Sequence, residues 1–327
     1  MAQNKRVLIS VVLSVMLVLT VFAGAGCSSN QQDGAQTSTN ERPVMRIGTL
    51  PTEDSLPLYL SSQQQEGELL EVVVFQSAQE LVTAFVAGEV DAAMTDVENS
   101  ATLQESGTNV VLSWITLGKT AEQGRFGILT NDPEIKEVAD LKGKTIAGAS
   151  NTVPEYVMYK LLENAGLSDK DITKEEIKKL PVRYEALAQG QVDAAALPAT
   201  LLALGEASGL YLVADDTHGE NMSQSVLTVS ANWLDEPGAQ DVLSNVQAMW
   251  DSVVQDINTH PEQYHDAVVN WAKVPEVIAQ DYPVSEYPVV ERPTVDMVQP
   301  VLDWMLELGY LKEALVYDEQ TGTFSAA

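Results

Sequence analysis

From Val44 onward, short apolar runs alternate with stretches of helical spacing. The runs occupy 45–49, 72–75, 92–95, 110–115, 126–130, 145–149, 192–197, 211–214 and 226–230. Between several of them stand helix starts of the form Ser/Thr-x-x-Glu, at Ser77 to Glu80 and at Thr152 to Glu155, where hydroxyl and carboxylate cap backbone donors reciprocally. Strand, helix and strand in succession predict mainly parallel sheets flanked by helices, an α/β fold. After Asn232 the pattern is helical only, over 240–257, 262–272 and 295–308, with breaks at Pro261, Pro275 and Pro293. These helices are expected to pack back on the first part of the fold.

An internal echo sharpens the picture. The segment from Ala84 to Met94 (AFVAGEVDAAM) recurs from Ala186 to Ala196 (ALAQGQVDAAA). In each copy a helix ends at a glycine suited to the left-handed terminating conformation, and a small-residue buried strand follows at once. Two similar lobes explain the echo. The aspartates of the two copies, Asp91 and Asp193, are read as holding these turns. Ligands of open parallel sheets sit outside the carboxyl ends of the strands, so the loops after 92–95 and 192–197 are expected to face a shared cleft. The apolar runs 126–130 and 226–230 bracket the second lobe and are taken as two hinge strands. The resulting division is 44–127 for the first part of lobe 1, 128–225 for lobe 2, and 226–327 for the return and C-terminal helices.

The N-terminal part has a different character. Lys5 and Arg6 precede an apolar run too short for a comfortable membrane span, so 1–26 reads as a secretory signal. Ala23, Gly24, Ala25 and Gly26 directly before Cys27 resemble a bacterial lipoprotein cleavage site, with Gly24 departing from the usual Leu. That resemblance implies lipidation at Cys27, and two or more acyl chains anchor stably. Ser28 to Pro43 is polar and low in apolar residues, so 27–43 is read as a flexible tether. The mature protein is expected to be anchored on the extracytoplasmic face of the membrane.

Composition narrows the function. With 18 Lys and Arg against 47 Asp and Glu, the net charge of −29 disfavours nucleic acid and anionic membrane surfaces. The single Cys forms no intrachain disulfide or multi-Cys metal site. His260 and His265 are five apart, the wrong spacing for one helix face. Gly143-Lys144-Thr145 and Gly118-Lys119-Thr120 lack the earlier glycine of a phosphate-binding loop. No nucleophile motif appears, so the chain is expected not to be an enzyme and to use no cofactor or metal.

Several segments resemble the solute-binding proteins of ABC importers, in the class that takes nitrate, taurine, aliphatic sulfonates and thiamine-pyrimidine precursors. They are Ile47-Gly48-Thr49-Leu50-Pro51 with Pro57-Leu58-Tyr59, Gly88 to Ala93 followed by Thr95-Asp96, Asp140 to Ile146 leading to Asn151 through Tyr156, and Gly190 to Ala195. The likeness covers about 45–233 and implies a two-lobed periplasmic-binding-protein-like fold of type II. It further implies a monomer that captures a small polar solute and hands it to a permease driven by an ATPase subunit. Fold relatives that are enzymes of menaquinone or pyrimidine synthesis, or ligand sensors for signalling receptors, are the alternatives.

Carried over position by position, the resemblance lines the cleft with Thr52, Glu53, Asp54, Ser77, Thr95, Asp96, Ser150, Asn151, Thr152 and Pro198. Ser77 and Thr152 have a second reading as plain helix caps. Tyr156 either stacks on a ring or fills the core. The candidate loops hold Glu53, Asp54, Asp96, Glu98 and Glu155 and no Lys or Arg, while Arg125 and Arg183 lie nearby in sequence. This favours a neutral or amine-bearing polar heterocycle over an anion, although helix N-termini alone can hold anions.

Overall fold

The computed structural model describes residues 43–65 and 69–327. The export signal, Cys27 and the tether up to Arg42 lie outside the described residues. The first lobe opens with β1 (Met45–Thr49), α1 (Leu56–Gln64), β2 (Leu70–Val74), α2 (Ala78–Val86), β3 (Ala92–Asp96), α3 (Val97–Glu105) and β4 (Val110–Leu117). The second lobe holds β5 (Phe126–Thr130), β6 (Thr145–Gly148), α4 (Val153–Asn164), β7 (Thr173–Glu176), α5 (Leu180–Ala188), β8 (Ala194–Pro198), α6 (Ala199–Ala207) and β9 (Tyr211–Asp215). The chain then returns through β10 (Ser225–Ser230), α7 (Ala231–Leu234), α8 (Ala239–Thr259), α9 (Pro261–Trp271), α10 (Glu276–Ala279), α11 (Val295–Glu307), β11 (Leu315–Asp318) and β12 (Thr323–Ala326).

Seven strands form the first sheet, in the order β11-β12-β4-β10-β3-β1-β2, and five form the second, β7-β6-β8-β5-β9. Each has a parallel part, β2-β1-β3 and β7-β6-β8. Into each is set one antiparallel strand, β10 between β3 and β4 and β5 between β8 and β9. Both strands therefore sit mid-sheet. The crossings between lobes are the segments just before them, 118–125 and 216–224. These crossings touch backbone to backbone: Gly118 has φ +84°, and a Cβ there would meet the Ser223 carbonyl oxygen at 1.9 Å. Asn221 Nδ2 donates to the Gly118 carbonyl at 2.7 Å, and buried Asp216 accepts from Phe126 N at 2.8 Å and Ser223 Oγ at 2.5 Å.

The echo is a repeated structural joint. Gly88 and Gly190 terminate α2 and α5 with φ of +72° and +68°. In each copy the following aspartate closes the neighbouring parallel strand: Asp91 Oδ2 accepts from Arg46 N at 2.8 Å, and Asp193 Oδ2 from Thr145 N at 2.7 Å. Asp91 also pairs with the Arg46 guanidinium at 2.6 Å.

Besides the hinge strands, two features depart from the sequence expectation. The C-terminal region is not helical only, because β11 and β12 form a hairpin that joins the edge of the first sheet at β4. Its strands are four residues each, too short to stand out as apolar runs, though β11 alternates buried Leu315 and Tyr317 with exposed Val316 and Asp318. The edge strand β7 reads Thr-Lys-Glu-Glu and is carried by backbone pairing rather than by apolar burial.

The amphipathic α8 buries Val242, Val246, Trp250, Val253 and Ile257 under the first sheet, where Trp250 meets Trp114 of β4 at 5.8 Å. A second cluster crosses between the lobes. Val153, Tyr156 and Val157 of α4 share it with Leu81, Phe85, Val298 and Trp304, and Tyr156 meets Trp304 edge-on at 5.1 Å. Tyr156 is thus a core residue. No helix among the described residues is long and apolar enough to cross a membrane.

Candidate functional site

The loops after β1 and β3 form the lobe 1 rim. The turn from Leu50 to Ser55 is strapped from the far end of the chain: Trp271 Nε1 donates to the Thr52 carbonyl at 3.0 Å and Ser55 Oγ at 2.9 Å, and Tyr287 Oη to the Glu53 carbonyl at 2.9 Å. Glu53 Oε2 accepts from Tyr282 Oη at 3.0 Å, whereas the Thr52 side chain is exposed. After β3, Asp96 is the N-cap of α3, accepting from Asn99 N at 2.7 Å and Asn99 Nδ2 at 2.8 Å. Thr95 precedes it, half-buried. Glu98, in the first turn of α3, is only 2% exposed. Among the described residues no side chain donates to its carboxylate, and one turn further along the same helix face Thr102 reaches lobe 2.

The lobe 2 rim is built differently. Asn151 takes a left-handed conformation, φ 60°, and its Nδ2 donates across the interface to Thr102 Oγ1 at 2.9 Å. Its Oδ1 is buried without a partner. Glu155, 0% exposed, accepts from Asn151 N at 2.6 Å, from the Lys174 ammonium, and from Tyr310 Oη at 2.9 and 3.0 Å. Ser150 donates through N and Oγ to Glu176 and accepts from Lys174 Nζ at 2.8 Å. At the end of β8, Pro198 is the N-cap of α6, and Thr200 bonds Tyr282 Oη at 3.0 Å. Tyr282 therefore bridges Glu53 of lobe 1 and Thr200 of lobe 2.

The two caps diverge despite their matching sequence pattern. Ser77 does cap α2, accepting from Glu80 N at 3.2 Å, while Glu80 accepts from Gln76 N. It faces a surface hollow of about 370 Å³ lined by lobe 1 residues alone, so it does not join the interlobe set. Thr152 makes no cap bond, because its hydroxyl donates back to the Ala149 carbonyl at 2.7 Å; Glu155 accepts from Asn151 N just as Glu80 does from Gln76 N. The remaining predicted residues, apart from Cys27, stand on the two facing rims.

Electrostatics separates the rims. On lobe 1, burial pushes Glu53 up to about 7 and Asp96 up to about 6, the latter against the pull of the Asn99 bonds. Burial, then the Asp96 charge, raises Glu98 well above the carboxylate range, and burial also raises Asp54. Removing a carboxylate from water disfavours its charge unless a cation or donors replace the water. On lobe 2 that replacement is present. Burial opposes the Lys174 charge, but its bond to Glu155 outweighs this and holds it protonated. The other nearby bases are engaged: Arg125 pairs with Asp215 at 2.8 Å and Glu206 at 2.9 Å. Arg183 is 1% exposed, donates to the Ile177 and Ala196 carbonyls at 2.9 and 2.8 Å, and is lowered to about 10 by burial. Among the described residues no group of three or more His, Cys, Asp and Glu is arranged to hold a metal ion.

A family model described as NMT1/THI5 like matches residues 64–263. The chain belongs to the NMT1/THI5-like family. A search of curated proteins by sequence gives no match. Solved structures show the same fold. The periplasmic aliphatic sulphonate binding protein SsuA of Escherichia coli has a TM-score of 0.71 at 19% identity, over 87% of this chain and 92% of that one. The alkanesulfonate-binding protein SsuA of Xanthomonas axonopodis pv. citri, bound to MOPS, has a TM-score of 0.70 at 20% identity, over 84% and 96%. The ligand-binding component of an ABC-type import system from Staphylococcus aureus has a TM-score of 0.69 at 16% identity, over 83% and 93%. This NMT1/THI5-like chain thus has the two-lobed fold of periplasmic binding proteins.

Lys174, Tyr282 and Tyr310 escaped the sequence reading. Lys174 lies on the all-polar β7, and the tyrosines reach the site from 229 and 155 positions beyond their carboxylate partners. The one available signal was the placement of aromatics in the C-terminal segment.

Proposed function

We propose that this protein is the solute-binding component of an ABC importer, lipidated at Cys27, monomeric and held on the extracytoplasmic face of the membrane. A small polar solute enters between the lobes, and the closed form is delivered to the permease. The carrying observation is the interface itself. The lobes meet through a few polar contacts, Asn151 to Thr102, Tyr310 to Glu155 and Thr200 to Tyr282, and through the apolar cluster of α4 with Trp304, while two slender crossings join them. A ligand touching both rims stabilises the closed form by its differential affinity. The sulfonate-binding and import-system relatives support the reading. The chain binds and releases its solute without turnover.

The test is thermal unfolding of the protein across a metabolite panel, followed by small-angle scattering with the hit. A true solute at a hundredfold excess over its Kd adds about 2.7 kcal/mol, and the radius of gyration falls as the lobes close. Conversion of the hit into a product contradicts the reading. For the anchor, Cys27→Ser releases the protein from the membrane fraction, and a variant that stays as fully associated as the parent rules the anchor out.

A further inference from the structure

The charge balance of the cleft identifies the chemical class of its solute, given that the cleft is a solute site. Glu98 is the decisive group. Its carboxylate is buried, and no side-chain donor among the described residues meets it. Its helix face is fixed by Thr102, which lies four residues on and bonds Asn151 across the interface at 2.9 Å, so Glu98 points toward lobe 2. There it faces Glu155, whose own charge is answered by Lys174, and beside it stands Asp96. At the same interface Asn151 Oδ1 is a buried acceptor without a partner, since the amide nitrogen of that side chain is committed to Thr102. Glu98 and Asn151 Oδ1, one from each lobe, are both acceptors without a side-chain donor among the described residues. Buried acceptors left without donors are strongly disfavoured, and a buried carboxylate most of all.

We propose that the solute carries a cationic nitrogen, an ammonium or amidinium with several N–H donors, seated against Glu98 and Asp96 with Asn151 Oδ1 as a third acceptor. A sulfonate in this place would set an anion against Asp96, Glu98 and Glu155. Arg183, buried in lobe 2 without a carboxylate partner among the described residues, is held by backbone carbonyls inside that lobe. A bare metal ion is the weaker candidate, because the carboxylates are not grouped as ligands. The raised affinities for protons of Glu98, Asp96, Asp54 and Glu53 agree: protons stand in for the missing cation.

The test compares two panels of matched size on the full-length protein by thermal shift and calorimetry. One contains butylamine, putrescine, agmatine and benzamidine, the other butanesulfonate, benzenesulfonate and succinate. At least one cation is expected to stabilise the protein in a saturable way. Glu98→Gln should weaken that binding tenfold or more while leaving the ligand-free protein as stable as the parent. Asp96→Asn keeps an acceptor at the helix cap and gives an independent variant, with a smaller loss in the same direction. Stabilisation and compaction by an anion alone overturns the cationic solute and leaves the solute-binding reading intact. A cation that binds both variants as tightly as the parent, or stabilisation by neither panel, also overturns it.

Discussion

The two lobes share one joint, helix, left-handed glycine, strand and aspartate, yet their buried carboxylates, Glu98 after β3 and Glu155 after β6, stand at different strand ends and have opposite electrostatic solutions. On lobe 2, the fully buried Glu155 receives an amide, a phenol and an ammonium. On lobe 1, Glu98 is nearly as buried and receives no side-chain donor among the described residues. Glu155 has its cation built in, and Glu98 has none among the described residues. The repeat thus supplies a similar scaffold in both lobes, on which the residues at the strand ends set different charge environments.

The largest expected effect comes from making lobe 2 resemble lobe 1. Lys174→Met leaves Glu155 buried with only neutral donors, and breaking such a pair costs about 3 kcal/mol or more. Chemical denaturation measures it, and adding Glu155→Gln to Lys174→Met should recover most of the loss. An unchanged midpoint in the single variant would mean that the Lys174 contact contributes nothing.

The next effect is pH dependence. Glu53 at about 7, Asp96 at about 6 and the crossover Asp216 at about 6 are all raised by burial above ordinary carboxylates. A raised acid binds its proton more tightly in the folded state. Its ionisation therefore destabilises the fold above the folded value, and that penalty is relieved as pH falls toward the unfolded value near 4. From Glu53 alone the ligand-free protein should gain about 2 kcal/mol between pH 8 and pH 5, since one pKa unit corresponds to about 1.4 kcal/mol. A fall in melting temperature over that range contradicts the uncompensated rim.

Smallest is the loss of one contact of the lobe 2 network. Tyr310→Phe removes a phenol from Glu155 while Lys174 and the Asn151 amide remain, so stability falls by about 1 kcal/mol. Because Tyr310 joins lobes, the variant should also open more readily, seen as a larger radius of gyration without solute. An unchanged radius assigns the closure to the other bridges.

Much of this arrangement was legible in the chain. The turns at Gly88 and Gly190 are local chemistry, so their partners Asp91 and Asp193 could be read as joints before any coordinates. Strand ends in parallel sheets point to the loops after β3 and β8, whereas Thr52 to Asp54, Asp96 and Ser150 to Thr152 came from the family resemblance. What escaped was compensation, which depends on residues far apart in sequence. Glu98 and Glu155 look alike in the chain, and only the fold brings Lys174 and Tyr310 to one of them. Thr152 shows the same limit locally: its pattern matches that of Ser77, but it follows the left-handed Asn151 and its hydroxyl turns to the Ala149 carbonyl.

The most direct test of the asymmetry is the proton balance of binding. Calorimetric titration of the thermal-shift hit at pH 7, repeated in buffers of different ionisation enthalpy, gives the number of protons exchanged. If the solute supplies the charge missing from lobe 1, Glu98 and Asp96 give up protons as it binds, and net release is observed. Net uptake on binding would mean that the solute is an anion to which the rim yields by protonating, and the account of lobe 1 would be wrong.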